Sequence, residues 1–282
     1  MKKIICLIAL TFIANLINAQ SARDYEKTKY GRNPKAGHYV SMRGFKMYYE
    51  VYGKGNPLLI IHGNDGSIIN FLYNIPYFSK KYKVIIADSR AQGKSIDNSD
   101  SLSYEMMADD LNALLESLHV DSCFVIGKSD GGINGLLLAI RHPDKVKKLA
   151  VTGANLWPDT SAVDPFIYHW VNHYNDSLSR LNQTPKVKNE RKLFNLLIKE
   201  PNITLQQLHT IKCPTLVIGG DHDVIKPVHT MLIAQSISKS YLWILPNSGH
   251  STSTIYHDIF NKTVDNFFTT PFRVIDGEGR FD

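Results

Sequence analysis

Short apolar runs alternate with stretches of helical periodicity along most of this chain. Residues 57–61 form an apolar run without a polar interruption, which predicts a strand covered on both faces. Residues 38–42 and 45–52 flank an Arg43-Gly44 turn and predict an opening hairpin. Further strands are predicted at residues 82–87, 123–126, 146–151, 214–218 and 241–245.

The segments between most of these strands carry helical patterns. Ser103 is a predicted N-cap, and the apolar residues that follow it keep a spacing of three to four positions. Strands that alternate with helices form parallel βαβ units. The sequence therefore predicts an α/β fold with a doubly wound, mostly parallel eight-stranded sheet, in a single domain. Other helices are predicted at residues 68–78, 133–140 and 227–237, with a last helix through Phe268.

Two parts of the chain depart from this alternation. Between about residues 156 and 208, aromatic and polar residues and a helical stretch at 191–199 predict an insertion, which is either a small helical cap or a pair of ordinary packing helices. At the N-terminus, two lysines precede an apolar stretch and a small residue, Ala19, which is typical of a signal peptide spanning 1–19. The stretch is shorter than the roughly 20 residues that a spanning helix needs. We expect a mature domain at 20–282 that is periplasmic or secreted, without stable membrane association.

Charge and cysteine content indicate which binding partners and crosslinks to expect. The formal net charge is +6 and the basic residues are scattered, so we expect no charge-driven binding to nucleic acid or to a membrane. Cys123 and Cys213 remain after loss of the leader and lie in or beside separate predicted strands. Buried free thiols are therefore expected in place of a disulfide. The sequence does not specify an oligomeric state.

A serine between two glycines marks the candidate chemistry. In the segment 127–131 (Gly-Lys-Ser-Asp-Gly), a predicted strand precedes Ser129 and a predicted helix follows it, which is the context of a nucleophile elbow. Gly-Lys-Ser also occurs at 93–95. A phosphate-binding P-loop needs a glycine five residues before the Gly-Lys pair, and those positions hold Ser122 and Asp88. Neither segment is a P-loop, and nucleotide binding is not expected.

Two later loops supply partners for the serine, which needs a base and an orienting carboxylate. Asp223 and His250 follow the predicted strands 214–218 and 241–245, at the sheet edge where the elbow opens. Asp223 begins an Asp-x-x-x-Pro spacing, so we predict it as the acid and expect Asp221 to stabilise the turn. A metal site at Asp221-His222-Asp223 would consume this acid, and no metal or other cofactor is implied.

These motifs resemble the α/β-hydrolase fold family across nearly the whole mature length. The resemblance implies a Ser129–His250–Asp223 triad, with backbone N–H groups of Asn64 and Asp130 forming the oxyanion hole. His62 is expected to brace its turn, not to react. Ala91 stands where the second motif usually has glycine. The motifs are His62-Gly63, Asp88-x-Arg90-x-x-Gly93-x-Ser95, Gly127-x-Ser129-x-Gly131, Asp223-x-x-x-Pro227 and Gly249-His250.

Within this family, residues 129–133 followed by 153–155 resemble the valacyclovir hydrolase (biphenyl hydrolase-like) group. The resemblance implies that Asp130, directly after the nucleophile, binds the α-amino group of aminoacyl esters. A carboxylate at a helix N-terminus is also stabilised by the macrodipole whatever the ligand. Lys128 stands where that group has tryptophan. With Asp65 from the turn after the first parallel strand, Lys128 and Asp130 are the candidate substrate-binding residues.

The sequence therefore predicts an exported serine esterase that cleaves a small carboxylic ester through an acyl-enzyme intermediate. Two alternatives stay open. One is hydrolysis of an aminoacyl ester or amide, with Asp130 binding the substrate amine. The other is a non-catalytic ligand-binding protein on a hydrolase scaffold, since a fold does not fix a function. Dehalogenase-type chemistry is excluded, because it needs a carboxylate nucleophile where Ser129 stands.

Overall fold

The computed structural model describes residues 24–281, and the predicted signal peptide lies outside them. One eight-stranded sheet runs through the molecule, and each strand lies within two residues of its predicted bounds. The strands are β1 (Gly37–Met42), β2 (Phe45–Tyr52), β3 (Asn56–Ile61), β4 (Tyr82–Ala87), β5 (Cys123–Lys128), β6 (Val146–Thr152), β7 (Thr215–Gly220) and β8 (Ser240–Leu245).

The strand order is β1-β2-β4-β3-β5-β6-β7-β8. β2 pairs antiparallel with β1 and with β4, and every other pair is parallel. The six strands from β3 to β8 therefore end at the same edge, and loops that leave this edge carry the candidate chemistry. The predicted α/β-hydrolase fold is confirmed.

Helices cover both faces of the sheet. α2, α3 and α7 pack on one face, while α1 and α9 pack on the other. The prediction of a capped helix after Ser103 is correct, because the Ser103 hydroxyl accepts from the Met106 N–H at 3.1 Å. The helices are α1 (Ile75–Phe78), α2 (Tyr104–Ser117), α3 (Asp130–Arg141), α4 (Pro165–Ser179), α5 (Pro185–Lys199), α6 (Leu205–His209), α7 (Pro227–Gln235), α8 (Thr252–Ile255) and α9 (His257–Thr269).

The central strand β3 shows why an unbroken apolar run belongs here. Leu59 and Ile61 join the core cluster on one face, and Leu58 and Ile60 join the cluster on the other. All four side chains are at most 1% exposed. Because successive side chains of a strand point to opposite faces, a strand between two helical layers needs an apolar residue at every position.

Two helix predictions were wrong in their extent. The single helix predicted at 68–78 is a short 3₁₀ turn, Ile68–Phe71, followed by α1. Pro76 lacks an N–H and cannot continue a helical ladder from the preceding turn, which separates the two pieces. The helix predicted at 191–199 begins earlier, at Pro185, where the Thr184 hydroxyl accepts from Val187 and proline suits the first helical position.

The segment between β6 and β7 contains α4, α5 and α6. A single antiparallel bridge between Val163 and Ile225 joins the start of this segment to the loop after β7. Cys123 and Cys213 are both buried and free, as predicted. Across residues 24–281, no helix has the length and apolarity to cross a bilayer.

Candidate active site

Ser129 occupies the turn between β5 and α3. Its φ of 55° and ψ of −123° are a strained combination for a residue with a side chain. The turn needs glycine on both sides, since a Cβ on Gly127 would lie 2.1 Å from the Gly131 carbonyl oxygen and one on Gly131 would lie 2.1 Å from that of Ile61. The Ser129 N–H donates to the Thr152 carbonyl at 2.8 Å. These contacts hold the serine at the carboxyl ends of β5 and β6.

Asp223 and His250 meet on the loops after β7 and β8. His250 Nδ1 lies 2.6 Å from Asp223 Oδ1. An ionised carboxylate only accepts, so Nδ1 donates and Nε2 is left able to take a proton. Burial opposes the charge of Asp223. The His250 contact and the N–H groups of Ile225 and Gly220 nevertheless hold the pKa of Asp223 below its ordinary value.

Asp221, the other acid of this loop, has different partners. It accepts from the N–H groups of Asn247 and Ser248, both at 2.9 Å, and from Nδ1 of His222 at 2.8 Å. Asp221 therefore ties the loop after β7 to the turn that precedes His250. Within residues 24–281, no group of three His, Cys, Asp or Glu side chains is arranged to hold a metal ion.

The turn after β3 faces the serine. A Cβ placed on Gly63 would lie 3.0 Å from Ser129 Cβ. In the described part of the chain, the N–H groups of Asn64 and Asp130 donate to no other residue. Both residues line the same cavity as Ser129. The Asp130 N–H also interacts with its own carboxylate. Two backbone N–H groups that bond to no other residue, beside an elbow serine, are the parts that an oxyanion hole requires.

His62 braces this turn from beneath. Its Nε2 accepts from the Ser89 N–H at 2.8 Å, so the proton lies on Nδ1, which donates to the Gly63 carbonyl at 2.7 Å. The side chain is 1% exposed, and burial lowers its pKa. A buried, neutral histidine with both nitrogens used matches the expected bracing role.

The Asp130 carboxylate is enclosed beside the nucleophile. It is 1% exposed and accepts from the Asn64 side-chain amide at 2.8 Å. The Tyr104 hydroxyl also interacts with it, although outside the geometry of a well-formed hydrogen bond. Burial raises the pKa of Asp130 to about 6, against the opposing effect of these donors and of His250.

Lys128 and Asp65 lie on the cavity wall with different exposure. Lys128 is partly buried, and neither an ion pair nor a hydrogen bond engages its ammonium in the described chain. Burial lowers its pKa, while the charge of Asp223 acts in the opposite direction. Asp130 is therefore not its partner, although the two flank Ser129. Asp65 is exposed at the rim, with a φ of 49°.

The cavity has a volume of about 280 Å³, which suits a small molecule. α4 and α5 contribute apolar side chains to its wall, including Ile167, Val171 and Leu197. The cavity brings together Ser129, His250 and the candidate oxyanion and substrate-binding residues, while Asp223 lies behind His250. The polar lining residues are Asn64, Asp65, Asn70, Tyr104, Lys128, Ser129, Asp130, Asn155, Tyr168, Asn172, Glu200 and His250.

Two lining residues were missed from the sequence. Glu200 follows α5, and its carboxylate accepts from the Tyr104 N–H at 2.9 Å. Burial raises the pKa of Glu200. Tyr104 begins α2, and its hydroxyl faces Asp130. No local motif marks either residue, because they reach the site only when α2 and the end of α5 pack together.

A family model described as the alpha/beta hydrolase fold matches residues 56–186. Serine hydrolase BPHL of Mus musculus is 24% identical, over 81% of this chain and 84% of its own. A putative carbamate hydrolase, RutD of Serratia proteamaculans, is 27% identical, over 77% of this chain and 93% of its own. Both relatives are hydrolases by name.

Solved structures agree on the fold. MGS-M2, an alpha/beta hydrolase from a Medee basin deep-sea metagenome library, matches with a TM-score of 0.73 and 19% identity over 86% of this chain and 100% of its own. The enol-lactonase of Burkholderia xenovorans LB400 matches with a TM-score of 0.70 and 20% identity over 83% of this chain and 100% of its own. At these identities the likeness is one of fold.

Proposed function

Since this chain is a hydrolase with the α/β-hydrolase fold that resembles the biphenyl hydrolase-like group, we propose that it is a serine hydrolase of small carboxylic esters. The observation that carries the proposal is the 2.6 Å contact between His250 and Asp223, in a site whose cavity is lined by both His250 and the elbow serine. The cavity volume of about 280 Å³ supports a substrate of small size.

In the proposed mechanism, Ser129 attacks the acyl carbonyl while His250 Nε2 takes the hydroxyl proton. The imidazolium is stabilised by Asp223, which also fixes the tautomer. The N–H groups of Asn64 and Asp130 donate to the oxyanion of the tetrahedral intermediate. His250 then protonates the leaving alcohol, and a water activated by the same histidine hydrolyses the acyl-enzyme. The mechanism uses no cofactor.

The test compares two acids of one loop. Ser129→Ala, His250→Ala and Asp223→Asn should each lower kcat by roughly 10³-fold or more, because triad members act as a unit. Asp221→Asn is the matched control and should stay within about tenfold of the parent, since Asp221 holds a turn and does not contact His250. A severe loss in Asp221→Asn with a mild one in Asp223→Asn would contradict the assignment.

A fluorophosphonate probe separates an enzyme from a binding protein. The active site should label at Ser129, and Ser129→Ala should abolish labelling. A chain that binds esters but never labels would instead be a ligand-binding protein on this scaffold.

A second candidate function is hydrolysis of aminoacyl esters or amides. The observation that favours it is the acidity of the cavity wall, to which Asp130 and Glu200 both contribute. Asp130→Ala should then lower kcat/KM selectively for aminoacyl esters, by about ten- to a hundredfold, and spare their des-amino analogues. Equal losses on both substrates would leave Asp130 with a structural role.

Export is part of the proposal and is supported by the sequence of residues 1–19. Mature protein recovered from its native host should begin at Gln20 and be absent from the cytosol. N-terminal sequencing that found Met1 or Lys2 retained would contradict cleavage.

A further inference from the structure

Lys128 lines the cavity that also contains Asp130 and Glu200, and its ammonium group has no ion-pair or hydrogen-bond partner among the described residues. Of the described residues that line this cavity, it is the one lysine or arginine. Its side chain extends from the last residue of β5, directly before Ser129, and is partly buried. No carboxylate oxygen of residues 24–281 lies within 4.0 Å of its nitrogen. Lysines that lose water contact ordinarily gain a paired anion.

The nearby acids are engaged elsewhere. Asp223 is held by His250 and by two backbone N–H groups. Asp130 accepts from Asn64, and Glu200 accepts from the Tyr104 N–H. The protein therefore leaves this cation without a counter-ion of its own, and an anion that entered the cavity would find it available.

The acids of the site belong to loops on opposite sides of β5. The Asp130 carboxylate accepts from Asn64 in the turn after β3, whereas Asp223 lies in the loop after β7. Asp130 and Glu200 are linked through Tyr104, which interacts with both. Lys128 instead feels the charge of Asp223, the residue behind His250. In serine hydrolysis the histidine protonates the leaving group, so the leaving group lies on the histidine side. We therefore place Lys128 on the leaving-group side of Ser129, and the acidic cluster on the acyl side.

We infer that Lys128 binds a carboxylate carried by the leaving group, so that the substrates are esters of small hydroxy acids. This inference rests on the proposed function. It assigns Lys128 a specificity role that does not conflict with an amine on the acyl side, because the two charged regions are separate.

A matched pair of substrates tests the inference. 3-Acetoxybenzoate and 3-acetoxybenzamide have the same acyl group and nearly the same shape, but only the first has a charged leaving group. The parent protein should prefer the carboxylate by about tenfold or more in kcat/KM, as expected of a charge-assisted contact. Lys128→Met should lower this ratio by at least about tenfold, and Lys128→Arg should keep part of it.

Lys147→Met is the charge-matched control. Lys147 is exposed on β6, so its loss changes the net charge equally and should leave the ratio at the parent value. A ratio near one in the parent, a ratio that survives in Lys128→Met, or an equal fall in both variants would overturn the inference.

A binding measurement keeps the inference testable without turnover and without the Lys128 variants. Calorimetry on Ser129→Ala should find 3-hydroxybenzoate bound about tenfold more tightly than 3-hydroxybenzamide. Equal binding of the two would overturn the inference, while hydrolysis of 3-acetoxybenzamide would leave the proposed function standing. Preferential binding of 3-hydroxybenzoate by a protein that hydrolyses neither ester would support the Lys128 site and overturn the proposed function.

Discussion

Ala91 adopts a left-handed backbone conformation, with a φ of 63°, in the loop after β4. An L-residue with a Cβ pays roughly 1–2 kcal/mol for this region, which glycine enters freely. Ala91 is the position where the family motif usually has glycine. The strain is accepted in a loop whose Ala91 carbonyl accepts from Asn189 on α5 at 2.8 Å.

We therefore expect Ala91→Gly to stabilise the protein by about 0.5–1 kcal/mol in urea unfolding. Ala108→Gly is the control, and it should lower the free energy of unfolding. Ala108 is buried within α2, where glycine costs about 1 kcal/mol or more. A loss of stability in Ala91→Gly would show that the strain argument fails at this position.

The Asp130 carboxyl should make the stability of the folded protein depend on pH. Its pKa is raised in the folded state to about 6, mainly by burial, whereas the unfolded carboxyl has its ordinary value. Between about pH 4 and pH 6 the folded chain holds the extra proton, so stability falls as pH rises through this window and then levels off.

Asp130→Asn removes that titration. The unfolding free energy of Asp130→Asn minus that of the parent should be larger at pH 8 than at pH 4, by about 1–3 kcal/mol. The reason is that only the parent loses stability between these pH values through this group. Denaturant unfolding of both proteins at the two pH values measures this difference, and effects common to both proteins cancel. The same change at both pH values would mean that Asp130 ionises freely in the folded protein.

At the scale of elements, Gly153, directly after β6, constrains the position of His250. Gly153 has a φ of 65°, and a Cβ there would lie 2.7 Å from Cε1 and 2.9 Å from Nδ1 of His250. Such contacts are too short for real atoms, so the imidazole would have to move away from its place beside Asp223.

Gly153→Ala should lower kcat by at least about tenfold, because small displacements of a reacting group are costly. Gly44→Ala is the matched control. Gly44 also has a positive φ, 87°, but nothing lies within 4 Å of its added Cβ. Both variants should lose some stability, and only Gly153→Ala should lose turnover. Unchanged kcat in Gly153→Ala would mean that His250 tolerates the displacement.

α5 is the second element that matters for the site. Three of its residues contact loops of the sheet domain: Asn189 donates to the Ala91 carbonyl, Lys192 donates to Asp97, and the Leu193 carbonyl accepts from Asn64. Asp97 also contacts Arg90, which is buried and held by Asp110. α5 is thus fixed to the loops after β3 and β4.

For the whole molecule, an element could be predicted from the sequence wherever its local pattern reflects its place in the fold. Central strands such as β3, β4 and β7 could be predicted because their apolar runs reflect burial on two faces, and the exposed β1 could be predicted from the Arg43-Gly44 turn that follows it. The elbow could be predicted because its glycines are needed within five residues. The start of α5 was missed because polar residues fill the first turns of a helix that lies on the surface. Glu200 and Tyr104 could not be predicted, since only the packing of α2 against the end of α5 brings them together.

The Asn64 side chain connects α5 to the residues around Ser129. Its amide donates both to Asp130 and to the Leu193 carbonyl of α5, while its backbone N–H lies free beside Ser129. A substrate that pushes α5 outward would therefore disturb the oxyanion donor that we propose, and such a substrate could still bind.

The enzyme would then discriminate between substrates of different size through kcat. Along a series of acyl esters of increasing length, we expect kcat to fall before KM rises, which amounts to a kinetic check on fit performed after binding. Steady-state kinetics on the series measures this order. If KM rises first at constant kcat, α5 and the turn after β3 are not coupled, and the cavity selects by simple exclusion.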